Sequence, residues 1–412
     1  MSNSWTLQRD TAVRVLRPEG AVYETAAAQL LHYLNALCGI TEARSQSAPA
    51  IILRTDPSMP PDAFRLVVRG NDLHLVGQNG RGVLYAVFAL AERFGCRFFA
   101  HDTEMIPHPA ELSLPDGLDV TEASPFAYRD LYWIGTTDPL TAVKLRINGT
   151  GLKSGQHIRH LTAEVGGGIG YAGPHFVHTF DLLLPPEKYF AEHPEYYALI
   201  DGKRTAKHLY SQPCLSNPDV LRIMIEGIRS WLRDNPEARL VSVSQNDSFV
   251  IGSYCTCPAC RAVNEEEGAP SGSLIRFVNA VAEALEPEFP EVTFDTLAYQ
   301  YSTQPPKLTH PRHNVAIRMC TGGCSSHPIS DCANNAGSAD AIRGWSQICR
   351  QLYIWDYTTD FAQYLNPYPN FQTLQDNIRF FRDHNVCGVF EQGNYNEGPV
   401  SYTHLTLPTK RI

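Results

Sequence analysis

From Ser216 to Gln392 the chain repeats one unit, an amphipathic stretch followed by a short and almost wholly apolar run. "SNPDVLRIMIEGIRSWLRDNP" offers Ser216 or Asn217 as a helix cap and Pro218 at the first helical position. It places Leu221, Met224, Ile225, Ile228 and Leu232 on one face. "ARLVSVSQ", "VTFDTLAYQY", "NVAIRMC", "LYIWDY" and "VCGVFEQG" predict strands, and "SLIRFVNAVAEALE", "ADAIRGWSQICRQ" and "FQTLQDNIRFFRDH" predict helices between them. Sustained alternation of this kind specifies a parallel sheet wrapped by helices. The nearly continuous apolar strands suit a sheet covered on both faces. "FAYRDLYW" and the region of "GPHFVHTF" supply earlier strands and bring the count close to eight. The expected fold is therefore α/β, a (β/α)8 TIM-type barrel over residues 123–400. One step departs from the rule, because only a proline-rich loop joins Tyr301 to Asn314.

Residues 1–122 predict a separate small α/β domain. "AVYETAAAQLLHYLNALCG" is a helix ending at Gly39, and "FRLVVRGNDLHLVGQ" is a hairpin turning at Gly70-Asn71-Asp72. "GRGVLYAVFALAERFGCRFF" is an apolar helix stopped at Gly95, and "PHPAELSLPDG" reads as a linker. The last twelve residues, "SYTHLTLPTKRI", lack the helical period due after an eighth strand. They resemble translated adapter read-through, so 401–412 is expected to be a foreign tail.

Charge narrows the partners. Lys and Arg number 34 against 43 Asp and Glu, for a net charge of −9. An excess of negative charge disfavours nucleic acid as the partner. No run approaches the length that spans a bilayer, so no membrane partner is expected. The N-terminus carries no signal-like apolar core, and the expected localisation is cytoplasmic. The eleven cysteines are then expected as thiols or ligands rather than disulfides.

Barrel chemistry sits at the C-terminal ends of the strands. Those ends hold Gln245, Asn246 and Asp247; Tyr299 and Tyr301; Trp355, Asp356 and Tyr357; and Glu391, Gln392 and Asn394. Ring faces stack on sugar C–H faces while amides and carboxylates bind hydroxyls, so the set points to a glycan. "VGGGIGYAG" lacks the order of a phosphate loop, and neither G-x-S-x-G nor H-E-x-x-H occurs. No cofactor is expected.

"HPEYYALIDGKR", "CLSNPDV", "VSVSQND", "CTCPACRAVNEEEGAPSGSLIRFVNAVAEAL", "DTLAYQYSTQPPK" and "GVFEQGNYN" resemble, in that order, the domain of unknown function 4838. Part of that family is classed as glycoside hydrolase family 163. The resemblance implies a barrel hydrolase, with endo-β-N-acetylglucosaminidase activity on complex N-glycans. The N-terminal unit resembles the domain preceding the barrel in β-hexosaminidases and α-glucuronidases. Hydrolysis can then use the substrate's own acetamide as nucleophile. By the position of the paired groups in related barrels, Asn246 is assigned to the acetamide and Asp247 to acid/base work. Glu391 is the alternative acid, with Asp356 a third. Tyr299, Tyr301, Trp355, Asp356, His175, His178 and Gln392 are candidate substrate contacts. "HPEYYALIDGKR" is expected as a hairpin over the barrel mouth, with Arg204 touching substrate, and "NEEEG" as a solvated face.

The C-x-C-x2-C of Cys255, Cys257 and Cys260 offers three soft ligands that Cys320, Cys324 or His327 could complete. A second C-x2-C pair is lacking, so no metal is assigned to the site. A metal there, if bound, would be structural. The leading expectation is a glycosidase acting on N-acetylhexosamine-containing glycans or glycoproteins. The alternatives are an α-glucuronidase-like hydrolase and a glycan-binding protein without catalysis.

Overall fold

The computed structural model describes residues 4–151, 153–154, 157–360, 363 and 366–394, so the expected foreign tail lies outside the described residues. The chain divides into two compact units. The first comprises Met1–Asn148, Arg159–Gly168 and Asn394–Ile412, and the second comprises Gly149–Ile158 and Ile169–Gly393.

In the first unit β1 (Ala12–Leu16), β2 (Thr41–Glu42), β3 (Ala50–Thr55), β4 (Phe64–Arg69), β5 (Asp72–Gly77) and β6 (Asp119–Glu122) form a sheet in the order β6-β4-β5-β3-β1-β2. The expected hairpin is β4–β5, antiparallel, with Gly70 at φ 57° in its turn. The helix α1 (Ala21–Cys38) ends on Gly39 at φ 69°, whose N–H returns to the Asn35 carbonyl. The second helix, α2 (Gly80–Arg93), is buried nearly all round. The expected linker is in part a strand: Glu111–Pro115 pairs antiparallel with Ser4–Gln8, burying Leu112 and Leu114. Alternation in "ELSLP" was masked by the surrounding prolines. Asp62 ties the unit together, accepting from Arg81 at 2.7 Å, Arg129 at 2.8 Å and Asn148 at 2.8 Å. Burial alone would raise its pKa, but the two guanidiniums hold it well below the usual carboxylate range.

The second unit carries parallel strands β7 (Tyr171–Ala172), β8 (Leu240–Ser242), β9 (Thr293–Ala298), β10 (Val315–Cys320), β11 (Gln351–Tyr357) and β12 (Val386–Gln392), neighbours in that order. Helices α3 (Pro218–Asp234), α4 (Pro258–Glu267), α5 (Ser271–Leu285), α6 (Ala336–Ile348) and α7 (Leu374–Asp383) lie in the connections. Asn217 caps α3 by accepting from the N–H groups of Asp219 and Val220, with Pro218 following as expected. The β8–β9 crossover holds two α-helices and the β9–β10 crossover none, only a 3-10 turn at Gln300–Ser302, as the proline-rich loop anticipated. "GPHFVHTF" is not itself a strand; β7 precedes it, and the segment is loop before a short helix at Phe180–Leu183.

The sheet curls. A flat sheet would separate β7 from β11 by roughly 19 Å. Yet Phe176, four residues beyond β7, stacks on Trp355 of β11 with ring centroids 5.8 Å apart. The unit is a curved parallel half-barrel, with the aromatic cluster on its concave face. No described helix is long and apolar enough to cross a membrane.

"NEEEG" is not uniformly solvated, because Glu267 is buried beneath the helix-free crossover. Its carboxylate accepts from the N–H groups of Leu308 and Thr309, both at 3.0 Å, from the Thr309 hydroxyl and from Arg276. Burial would push its pKa up, but these donors bring it down to about 2. Hydrogen bonds to a charged group contribute roughly 1.5–3 kcal/mol, so Glu267→Gln should lose a stability of about that size near neutral pH. A depressed folded pKa stabilises above the unfolded value of about 4.3, and the gain disappears as the pH falls through the folded value. Urea melts of both proteins across that range should converge at the acid end.

Candidate active site

Side chains on a strand alternate between its faces. Register therefore decides which strand-end groups meet. Leu297, Arg318, Tyr353 and Gly388 form one row across β9–β12; Cys320, Trp355 and Phe390 form the next, and Tyr357 and Gln392 the last. These rows line the concave face. A Cβ on Gly388 would lie 2.5 Å from the Tyr353 ring, so the glycine makes room for that tyrosine. At the base of the rows Arg318 donates to Asp295 at 2.7 Å and also to the Tyr171 hydroxyl, which in turn donates to Asp295. Arg318 and Asp295 side chains have 0% exposure.

Above that floor lie the rings. Trp355 packs on Phe390 at 4.4 Å and donates its indole N–H to Gln392 Oε1 at 2.6 Å. The chain leaving β8 brings Asp247 to the same face, where Oδ1 accepts from the Tyr299 hydroxyl at 3.3 Å and from the Ser248 N–H at 2.9 Å. Burial raises the Tyr299 and Tyr357 phenols; Cys320, Tyr299 and Asp247 add to the rise at Tyr357. His178 lies beside Tyr299, with ring centroids 6.2 Å apart. Its Nδ1 is 2.8 Å from the Gln245 carbonyl. A carbonyl only accepts, so Nδ1 carries the proton and Nε2 is left as the acceptor in the neutral ring. Burial lowers the His178 pKa and favours that neutral form. The backbone at His178 has φ 54°, a strained conformation for a non-glycine residue.

Sequence-derived candidates therefore separate. Asp247, Tyr299, His178, Trp355 and Gln392 share one region of the concave face, and Tyr357 ends the same strand. Asn246 has both amide atoms engaged: Nδ2 donates to Asp181 at 2.7 Å and Oδ1 accepts from the Asp181 N–H at 2.9 Å. Tyr301 is buried, tilted against Tyr254 at 5.3 Å. His175 is exposed on the loop before His178. Asp356 and Glu391 face each other in register on the opposite, helix-covered face. Asp356 accepts from Thr321 at 2.5 Å and, with Asn377 of α7, lines a cleft there. The partly buried carboxyl of Asp181, raised by burial, was not singled out by sequence reasoning. Its lone position in "HTFDLLLPP" gave no signal.

Glu391 is 2% exposed, and its Oε2 has no hydrogen-bond partner among the described residues. Burial, and secondarily the charge of Asp356, pushes its pKa well above the usual value. A raised carboxyl stabilises the fold while protonated, and that contribution is lost as the pH rises from about 4.3 through the folded value. Glu391→Gln should therefore gain on the native protein with rising pH, read as the difference between their denaturant midpoints. A difference independent of pH would show that Glu391 ionises without hindrance.

The cysteine triplet gathers elsewhere. Cys255, Cys257 and Cys260 meet Cys214, and the completing residue is none of Cys320, Cys324 or His327. Cys324 and His327 instead form a separate group with Cys332, and Cys320 belongs to the concave face. Cys214 stands within "CLSNPDV", far upstream of the triplet, so spacing rules gave it no weight. The expected hairpin, Leu199–Ile200 with Lys203–Arg204, is present. Its Arg204 donates to the Tyr197 carbonyl at 2.6 Å and to Cys255 Sγ at 3.7 Å.

The profile described as "Domain of unknown function (DUF4838)" matches residues 98–406. The chain belongs to the DUF4838 family. No curated protein matches it by sequence. Solved structures share the fold of this DUF4838 chain at low identity. A family GH115 4-O-methyl-α-glucuronidase, BtGH115A, with specificity for decorated arabinogalactans, superposes at TM-score 0.58 and 11% identity, covering 98% of this chain and 57% of that one. The DUF4838 chain thus spans little more than half of that enzyme's length. A mutant β-hexosaminidase of Streptomyces plicatus in complex with GlcNAc product gives 0.53 and 10%, covering 100% and 87%. The β-N-acetylhexosaminidase of Bacteroides fragilis gives 0.51 and 11%, covering 100% and 88%. All three are glycoside hydrolases, and the fold is one that glycosidases use.

Proposed function

We propose that this DUF4838 protein is a glycoside hydrolase acting on N-acetylhexosamine-containing glycans, with endo-β-N-acetylglucosaminidase action as the specific form. In this reading the half-barrel belongs to a complete (β/α)8 barrel. One observation carries it: Asp247 lies just beyond the C-terminal end of β8 with the Tyr299 hydroxyl on its carboxylate and His178 beside that ring. The wall of Trp355 and Tyr357 next to them suits the C–H face of a sugar. The β-hexosaminidases among the structural neighbours make the substrate class plausible on fold grounds.

The proposed chemistry follows from these groups. Asp247 protonates the leaving oxygen and then deprotonates the attacking water. The substrate's acetamide oxygen attacks the anomeric carbon as the bond to the leaving oxygen breaks, and the water then opens the resulting oxazolinium at the same carbon, releasing the acetamide. The engaged amide of Asn246 makes it a positioning residue for the Asp247 turn, and the acetamide contact passes to the Tyr299 hydroxyl. Gln392 and neutral His178 bind hydroxyls. The glucuronidase reading is less well supported, because Arg318 of the concave rows is committed to Asp295.

The test compares wild type, Asp247→Asn, Tyr299→Phe and Glu391→Gln on a complex N-glycoprotein, an aryl N-acetyl-β-glucosaminide and an aryl glucuronide. Cleavage within the chitobiose core is expected. Asp247→Asn should lower kcat/KM by roughly 10²–10⁴, the usual contribution of acid–base catalysis. A larger loss in folded Glu391→Gln than in Asp247→Asn would move the acid to the opposite face. Glucuronide turnover alone would replace the substrate class, and binding without turnover of any substrate would make this a glycan-binding protein.

A further inference from the structure

Four thiols meet where the Asp247 loop ends. The Sγ atoms of Cys214, Cys255, Cys257 and Cys260 all lie within 4.8 Å of one another, and all four residues are buried. Cys214 is 3.7 Å from Cys257 and 3.8 Å from Cys260. A tetrahedron of zinc–sulfur bonds of about 2.3 Å has an edge of about 3.8 Å between sulfurs. Disulfides would instead sort the four into two pairs at about 2.05 Å, and all four are free cysteines.

The surroundings suit anionic sulfur. The Leu199 N–H points at Cys255 Sγ at 3.3 Å, the Arg204 guanidinium at the same sulfur at 3.7 Å, and the Ser216 hydroxyl at Cys260 Sγ at 3.0 Å. Cys257 is the N-cap of α4, so Cys257 and Cys260 sit at the positive end of a ten-residue helix. The rest of the shell is apolar, formed by Ala198 with Leu199 and Ile200.

We infer that Cys214, Cys255, Cys257 and Cys260 form a tetrahedral structural zinc site. Four thiolates around Zn²⁺ carry a net charge of −2, which Arg204 and the sulfur-directed donors offset. Binding replaces four thiol protons with one ion. Four protein ligands leave no open position, so the ion holds structure and does not activate water. It fastens together the Leu199–Arg204 hairpin, the approach to α3, the start of α4 and the loop that begins at Asp247. Thr256 already joins two of these, its N–H and hydroxyl donating to the Leu199 carbonyl at 2.9 Å and 2.6 Å.

Metal analysis of the full chain, purified with zinc supplied and under reducing conditions, should find one equivalent of zinc. After exchange, Co²⁺ should give the intense visible absorption of tetrahedral cobalt together with sulfur-to-cobalt charge transfer. Chelation should lower the melting temperature by about 5 °C or more, as loss of a tight native-state ligand requires. Cys214→Ser should lose zinc or bind it at least tenfold more weakly; if that variant does not fold, the wild-type cobalt spectrum decides. A folded, zinc-free chain with four freely alkylated thiols would overturn the site. So would two disulfides among the four, or an octahedral cobalt spectrum.

Discussion

Arg318 and Asp295 form an ion pair with no access to water, set on the concave face of a curled sheet. Such a pair is costly to isolate and tolerable only when its remaining donors and acceptors are met. Tyr171, from the far strand β7, meets part of that need, and its contacts to both members of the pair exist only when the sheet is curled. Rings of Tyr353 and Phe390 close over the guanidinium within 5.7 Å. Floor, curvature and strand parity are thus one arrangement. Shifting β10 by a single residue would bury Arg318 among helices and undo all three.

Parity then separates groups that look equivalent in sequence. Trp355 and Asp356 are neighbours, as are Glu391 and Gln392, yet each pair is divided between opposite faces. The indole and the amide face the concave side of the sheet, and the two carboxyls face the helices. Burial, with Asp356 across from it, raises the Glu391 pKa, an arrangement that resembles a catalytic acid in everything except position. Asp247 lies beyond the end of β8, where the chain turns, and strand alternation no longer governs its direction.

Much of this was legible in the residues. Apolar periodicity gave the helices, and the caps at Asn217 and Gly39 were readable because capping is local chemistry. The helix-free crossover after Tyr301 was visible as missing periodicity. What escaped depended on contacts between distant segments. Cys214 joins its partners only through the fold, Glu267 is buried only because residues 307–309 lie over it, and Asn246 is engaged only because Asp181 comes alongside. "ELSLP" was misread for another reason, since prolines conceal a two-residue alternation from composition-based reading.

One loop joins these themes. It runs from Asp247 to Cys255, tied to the Leu209 carbonyl by the Ser248 hydroxyl and the Phe249 N–H, and it exposes Phe249 at 69% and Ile251 at 68%. Large apolar side chains at such exposure contribute nothing to the core, and Phe249 packs only edgewise against Tyr210. With both ends fixed, residues 249–252, all of them exposed, behave as a cassette. Their side chains can be exchanged without removing the Ser248 N–H from the carboxylate at one end or disturbing the sulfur cluster at the other. Variation in a family of this kind can therefore concentrate in residues 249–252 while the carboxylate and the sulfur cluster stay in place.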